Sequence, residues 1–162
     1  MVLIKNKLIL KCVLFFSIFA LSFAYFVQYI LGHQPCNLCL IERVPYISAV
    51  ILISLIFILK KYERIISIIV ALFFIFGIIV SLYHIGIERG LFDESLVCKL
   101  SGIKSSNMTT NDLLKELEKN TVSCKDITFT LLGFSLATIN TIISFILSVI
   151  MLWNIKNYGK NR

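Results

Sequence analysis

Cys36 and Cys39 form a C-x-x-C directly after Pro35, and that spacing puts two sulfurs within one helical turn of each other. Proline is favoured at the first position of a helix, so a helix is expected to begin here. Both sulfurs would lie in its first turn, where unpaired backbone N–H groups and the helix dipole favour thiolate. Two thiols so placed can be oxidised to a disulfide and reduced again. Arg43 follows four residues after Cys39, on the same stripe and one turn further along. A fixed positive charge there is expected to lower the thiol pKa and to hold an anionic or carbonyl-bearing ligand.

Three other cysteines complete the set: Cys12, Cys98 and Cys124. Half of a zinc site is the competing reading of the C-x-x-C. Zinc sites usually carry a second closely spaced pair, whereas 25 residues separate Cys98 from Cys124, so no metal is expected. A bridge between Cys98 and Cys124 would close a loop of 27 residues and could stabilise it by about 3.5 kcal/mol on the chain-entropy model. The same bridge beside a reactive C-x-x-C is also what a thiol-exchange relay requires, because exchange needs accessible sulfurs that approach one another.

The elements that hold these residues are apolar. Of 162 residues, 58% are hydrophobic and 15% charged, against about 45–50% and 25% in soluble domains. Uncharged stretches run over residues 12–31, 44–59, 65–87 and 127–153, and three of them reach the roughly 20 residues that cross a hydrocarbon core. The second has sixteen residues, about 24 Å of helix, so Glu42 and Arg43 just before it are expected at the membrane boundary. The chain therefore reads as all-α, a single integral membrane four-helix bundle with two exoplasmic loops over about 32–43 and 88–126. The first run exceeds the 7–15 apolar residues of a signal peptide and is expected to remain as a span.

Charge placement supplies the orientation. The net charge of +7 is spread between apolar runs and forms no single basic face, which argues against a nucleic-acid partner. Nine positive and one negative side chains fall on the side of the termini, so both termini are expected in the cytoplasm and both longer loops outside. Four of the five cysteines then lie in an oxidising compartment. Cys12 falls inside a span and is expected to be apolar filler.

A dithiol that becomes a disulfide must pass on two electrons and two protons. The chain has no G-x-G-x-x-G fingerprint, only His33 and His84 as histidines, and Leu40 rather than histidine after Cys39, which excludes dinucleotide and haem-attachment motifs. A lipid-soluble quinone, ubiquinone or menaquinone, is the remaining acceptor. Its head group would reach Cys39 and Arg43 while its tail stays in hydrocarbon. His84, within one turn of the outward end of the third run, is a further candidate for contact with it, with a hydrogen-bonded bundle histidine as the plainer account. In the second loop, Thr109 with Asp112 and the leucines after them predict a short amphipathic helix over 109–119, lying on the membrane or packed on the span ends.

The run Pro35-Cys36-Asn37-Leu38-Cys39-Leu40-Ile41-Glu42-Arg43, the four spans and the loop cysteines at 98 and 124 resemble the disulfide bond formation protein B family, DsbB. The resemblance implies a quinone-dependent, protein-disulfide-generating oxidoreductase of the bacterial inner membrane. Such an enzyme reoxidises a DsbA-like periplasmic thiol oxidase of the thioredoxin fold. It also implies roles: Cys98 takes the mixed disulfide with the partner, Cys124 is released and exchanges with Cys36, Cys39 contacts the quinone, and Arg43 stabilises the ring. Two rivals are a disulfide-stapled, non-enzymatic membrane scaffold and an enzyme like vitamin K epoxide reductase. A scaffold gives no reason for Arg43 one turn below a C-x-x-C. In the reductase the motif belongs near the end of the last core helix, whereas here it precedes the second.

Overall fold

Four long apolar helices make up the body of the protein. The computed structural model describes residues 2–59, 62–93, 124, 130–131 and 133–159. Cys98 and the segment 109–119 lie outside these residues. In chain order the elements are α1 (Val2–Tyr29), α2 (Asn37–Ile41), α3 (Val44–Leu59), α4 (Glu63–Glu88), β1 (Thr130–Leu131), β2 (Phe134–Ser135) and α5 (Leu136–Gly159). Among the described residues, four segments are long and apolar enough to cross a membrane: Asn6–Tyr29, Asn37–Ile58, Glu63–Glu88 and Leu136–Lys156. Fold class and element type therefore match the sequence reading: an all-α bundle of membrane-spanning length.

The second span is built from two helices. Pro45 has no N–H to offer the carbonyl of Ile41 four residues earlier, so the ladder cannot run straight through. Instead Arg43 N bonds to Leu40 O at 3.2 Å in a tighter turn, and Ile47 N resumes the regular pattern onto Arg43 O at 3.0 Å. The short α2 supplies the length that residues 44–59 lack, and it carries the C-x-x-C at its head.

The last apolar stretch differs from expectation, since helix begins only at Leu136. Ahead of it, Thr130 pairs with Ser135 and Leu131 with Phe134 in a small antiparallel ladder, turned at Gly133 with φ +84°. Ser135 then caps α5, its Oγ accepting from Thr138 N at 3.3 Å. Apolar residues alone do not distinguish strand from helix in this stretch; the glycine and the serine do.

Packing is closest between α4 and α5, while α1 rests mainly on α3 and only lightly on α5. Gly77 permits the tight crossing: a Cβ there would stand 3.0 Å from Pro45 Cγ and 3.4 Å from Ser144 Oγ, the small-residue contact that lets helix backbones approach in a membrane. Tyr46, Ala49, Ile53, Val70, Phe74 and Met151 are among the residues that fill the core. Large apolar side chains such as Phe15, Phe19, Ile58 and Ile79 point outward, as lipid-facing positions require. Ser17, Ser67 and Ser81 return their hydroxyls to the carbonyl four residues back and so remain satisfied inside the bundle.

Candidate active site

Cys36 is the N-cap of α2, with extended backbone at φ −70° and ψ 166°. Its sulfur accepts a hydrogen bond from Cys39 N at 3.2 Å and lies 2.7 Å from the Cys39 sulfur; both cysteines are free. On its other side His84 Nε2 of α4 lies 3.6 Å away. The Cys39 thiol, and after it the His84 ring, hold the Cys36 thiol down to about 5 although burial opposes this. Cys36 is thus a thiolate at neutral pH. The sequence points to the first-turn N–H groups, with Arg43 adding to them; the Cys39 amide does contribute, and the larger causes are the Cys39 and His84 side chains.

His84 is itself anchored. Its Nδ1 meets Glu42 Oε1 at 2.8 Å, with the two side chains only 4% and 8% exposed, and Glu88 Oε1 lies 3.9 Å from Nε2. A carboxylate on Nδ1 fixes that nitrogen as the donor and leaves Nε2 facing the sulfur. In the sequence Glu42 stands only as a boundary residue and a member of the 35–43 run, with no chemical role of its own. The signal that could have found its role is chemical: a carboxylate pulled into an apolar bundle must meet a partner, and His84 is the histidine that falls within a span.

The two sulfurs serve different surroundings. Cys36 belongs to a buried cluster with Leu38, Ile87 and Cys124, and Cys124 is disulfide-bonded. Cys39 packs against the edge of that cluster and also lines a cavity of about 440 Å³ between α1, α3 and α5. Phe16, Phe19, Phe23 and Ile143 make its apolar walls, and Gln28, Glu42, Arg43, Tyr46 and Asn140 bring polar atoms to it. Arg43 donates from Nη1 to Gln28 Oε1 at 2.7 Å, and its guanidinium carbon stands 5.1 Å from the centre of the Tyr25 ring. These contacts fix the guanidinium beside the cavity. Among the described residues His84 does not line it; the ring is taken up by Cys36 and Glu42. Cys12 is free and exposed on α1.

Cys36 Sγ, Cys39 Sγ and a His84 nitrogen all lie within 4.8 Å of one another, a set that could ligate an ion. Two thiolates on one tetrahedral zinc, each about 2.3 Å from it, stand roughly 3.8 Å apart. Here they stand 2.7 Å apart.

A hydrogen-bonded dithiol at the head of a span in a four-helix apolar body defines a membrane thiol oxidoreductase. The family model of disulfide bond formation protein DsbB matches residues 6–154, and the chain belongs to that family of disulfide-forming membrane oxidoreductases. It is 28% identical over 137 residues to an uncharacterised protein of Rickettsia prowazekii (strain Madrid E), covering 83% of this chain and 79% of the relative. No solved structure matches it.

Proposed function

We propose that the chain is a thiol:quinone oxidoreductase of the bacterial inner membrane, with both termini in the cytoplasm. It reoxidises a DsbA-like periplasmic dithiol oxidase and delivers the electron pair to a membrane quinone. The observation that carries this reading is the division of labour between the sulfurs: Cys36 packs with disulfide-bonded Cys124, and Cys39 opens onto the apolar cavity.

The residues around the cavity fit a quinone. Aromatic and aliphatic walls suit a ring and an isoprenoid tail, and the guanidinium of Arg43 suits a ring carbonyl. Arg43, Cys39 and Gln28 would hold the head group. When bound, a quinone supplies a two-electron, two-proton acceptor. The chain's own groups prepare the donor side. The reduced partner attacks a loop disulfide at Cys98, which frees Cys124 as a thiolate. Cys124 exchanges with Cys36 and releases Cys39; the partner's second thiol then displaces Cys98 and leaves oxidised, and Cys98 retakes Cys124, which frees Cys36. Re-forming the Cys36–Cys39 bond from two thiols gives up two electrons and two protons. It needs one sulfur as nucleophile, and Cys36 is the one held as thiolate. His84 Nε2 is placed to exchange a proton with that sulfur, and Glu42 keeps the ring turned toward it.

The test is anaerobic mixing of purified protein with reduced partner and with ubiquinone or menaquinone, following quinone absorbance. Stoichiometric quinone loss with partner oxidation is the expected result. Absence of any quinone change with either acceptor would defeat the reading.

A further inference from the structure

Beyond Arg43, the cavity has a second polar wall. Tyr46 and Asn140 both line it, and both belong to a chain of hydrogen bonds across α3, α5 and α4. Ser81 Oγ donates to Gly77 O at 2.9 Å, so its single proton is used and it can only accept from Asn140, whose nitrogen stands 2.6 Å away. That fixes the orientation of the Asn140 amide. Its oxygen therefore faces Tyr46, whose hydroxyl donates to it at 2.6 Å. Every proton in the chain is directed from Tyr46 toward Gly77.

Two capacities remain. An amide nitrogen carries two protons; one goes to Ser81, and the other has no partner among the described residues. The Tyr46 oxygen has given its proton to Asn140 and keeps lone pairs, with Ser144 Oγ at 3.4 Å as its other neighbour. A cavity wall thus offers one donor and one acceptor from adjacent residues. Tyr46 lies about one helical turn beyond Arg43, further into the second span, and lines the same cavity.

We propose that Asn140 and Tyr46 are the inner anchor of the quinone, a role that rests on the function proposed above and deepens it. The spare Asn140 N–H donates to the ring carbonyl farther from Cys39, and the Tyr46 oxygen accepts from the hydroxyl that replaces this carbonyl once the ring is reduced. Arg43 and the Asn140–Tyr46 pair then hold opposite ends of the ring, and the cavity is polar-matched to both redox forms. Both are positioning residues for the acceptor and take no part in thiol exchange.

A bland account exists, since interhelical hydrogen bonds also serve as glue in membranes. The experiment separates the two by binding rather than turnover. Wild type, Asn140→Leu and Tyr46→Phe are reconstituted in lipid nanodiscs. Affinity for ubiquinone-1 and ubiquinol-1 is read from the ligand-dependent rise in unfolding temperature, alongside the unfolding temperature without ligand. Loss of one buried hydrogen bond predicts about three- to tenfold weaker binding. For Asn140→Leu the loss falls on ubiquinone-1 at least as strongly as on ubiquinol-1, and for Tyr46→Phe it falls mainly on ubiquinol-1. Partner-to-Cys98 exchange without quinone stays at the wild-type rate. A lower unfolding temperature with unchanged affinities would overturn the proposal and leave glue as the explanation. Tyr46→Phe, the smaller change, carries the same decision if Asn140→Leu does not fold. If wild type itself gains no stability from either ligand, the parent reading fails.

Discussion

Glu42 Oε1 and His84 Nδ1 are 2.8 Å apart although 42 residues separate them in the chain. Their contact ties the helix break after α2 to the C-terminal end of α4. It turns His84 Nε2 toward the Cys36 sulfur. An acid, an imidazole and a thiol stand in series, the arrangement by which a base oriented by a third group activates a nucleophile.

With its thiol held down to about 5, Cys36 is mostly thiolate at any pH above that value. The shift favours the charged form, so reactivity rises through about pH 5 and is lost below it, whereas an ordinary thiol near 8.5 stays protonated at pH 6. Iodoacetamide labelling of the Cys36 peptide, followed by mass spectrometry, gives this midpoint. His84→Gln and Glu42→Gln are each expected to raise it, His84→Gln more. An unmoved midpoint in His84→Gln would remove the imidazole from the account.

The proposed order of thiol exchange makes the cysteines separable. Cys36→Ser and Cys39→Ser should each abolish quinone reduction by reduced partner, because neither can complete the bond at the head of α2. Cys98→Ser should prevent the mixed disulfide with the partner, as seen on non-reducing gels. Adducts trapped through Cys36 in that variant would reverse the assignment of the two pairs.

Arg43 is fixed by Gln28 and Tyr25 on the cavity wall. Arg43→Met removes a charge-assisted contact of about 1.5–3 kcal/mol, so KM for quinone should rise on the order of tenfold or more with partner exchange intact. Gln28→Leu should shift the same constant in the same direction by less. Equal constants in Arg43→Met and wild type would place the ring elsewhere.

Helix contact at Gly77 admits little extra volume. Gly77→Leu should cost about 1–3 kcal/mol through overpacking against Pro45 and Ser144, measured by unfolding in detergent. Gly77→Ala should be milder. Full stability in the leucine variant would show that α3 and α4 can separate there without penalty.

Apolar runs and the C-x-x-C motif were legible because they are local: hydropathy over some twenty residues and a spacing of three need no tertiary information. The break between α2 and α3 was written in Pro45, and the late start of α5 in Gly133 and Ser135, yet an unbroken apolar count passes over both signals. Other features lie between distant residues. Nothing in a periodicity pairs Tyr46 with Asn140, 94 positions away, or Glu42 with His84. The His84 share of the Cys36 depression escapes for the same reason: the first-turn N–H groups and Arg43 are near in sequence, whereas His84 is near only in space.

Because the Cys36 sulfur caps α2 through the Cys39 amide, the grip on this helix varies with oxidation state. Thiolate is a strong acceptor and sulfur in a disulfide a weak one, so each turnover tightens and then slackens the first turn. Hydrogen exchange at that amide should consequently run slower in the reduced protein, making the backbone itself a gauge of how many electrons the site holds.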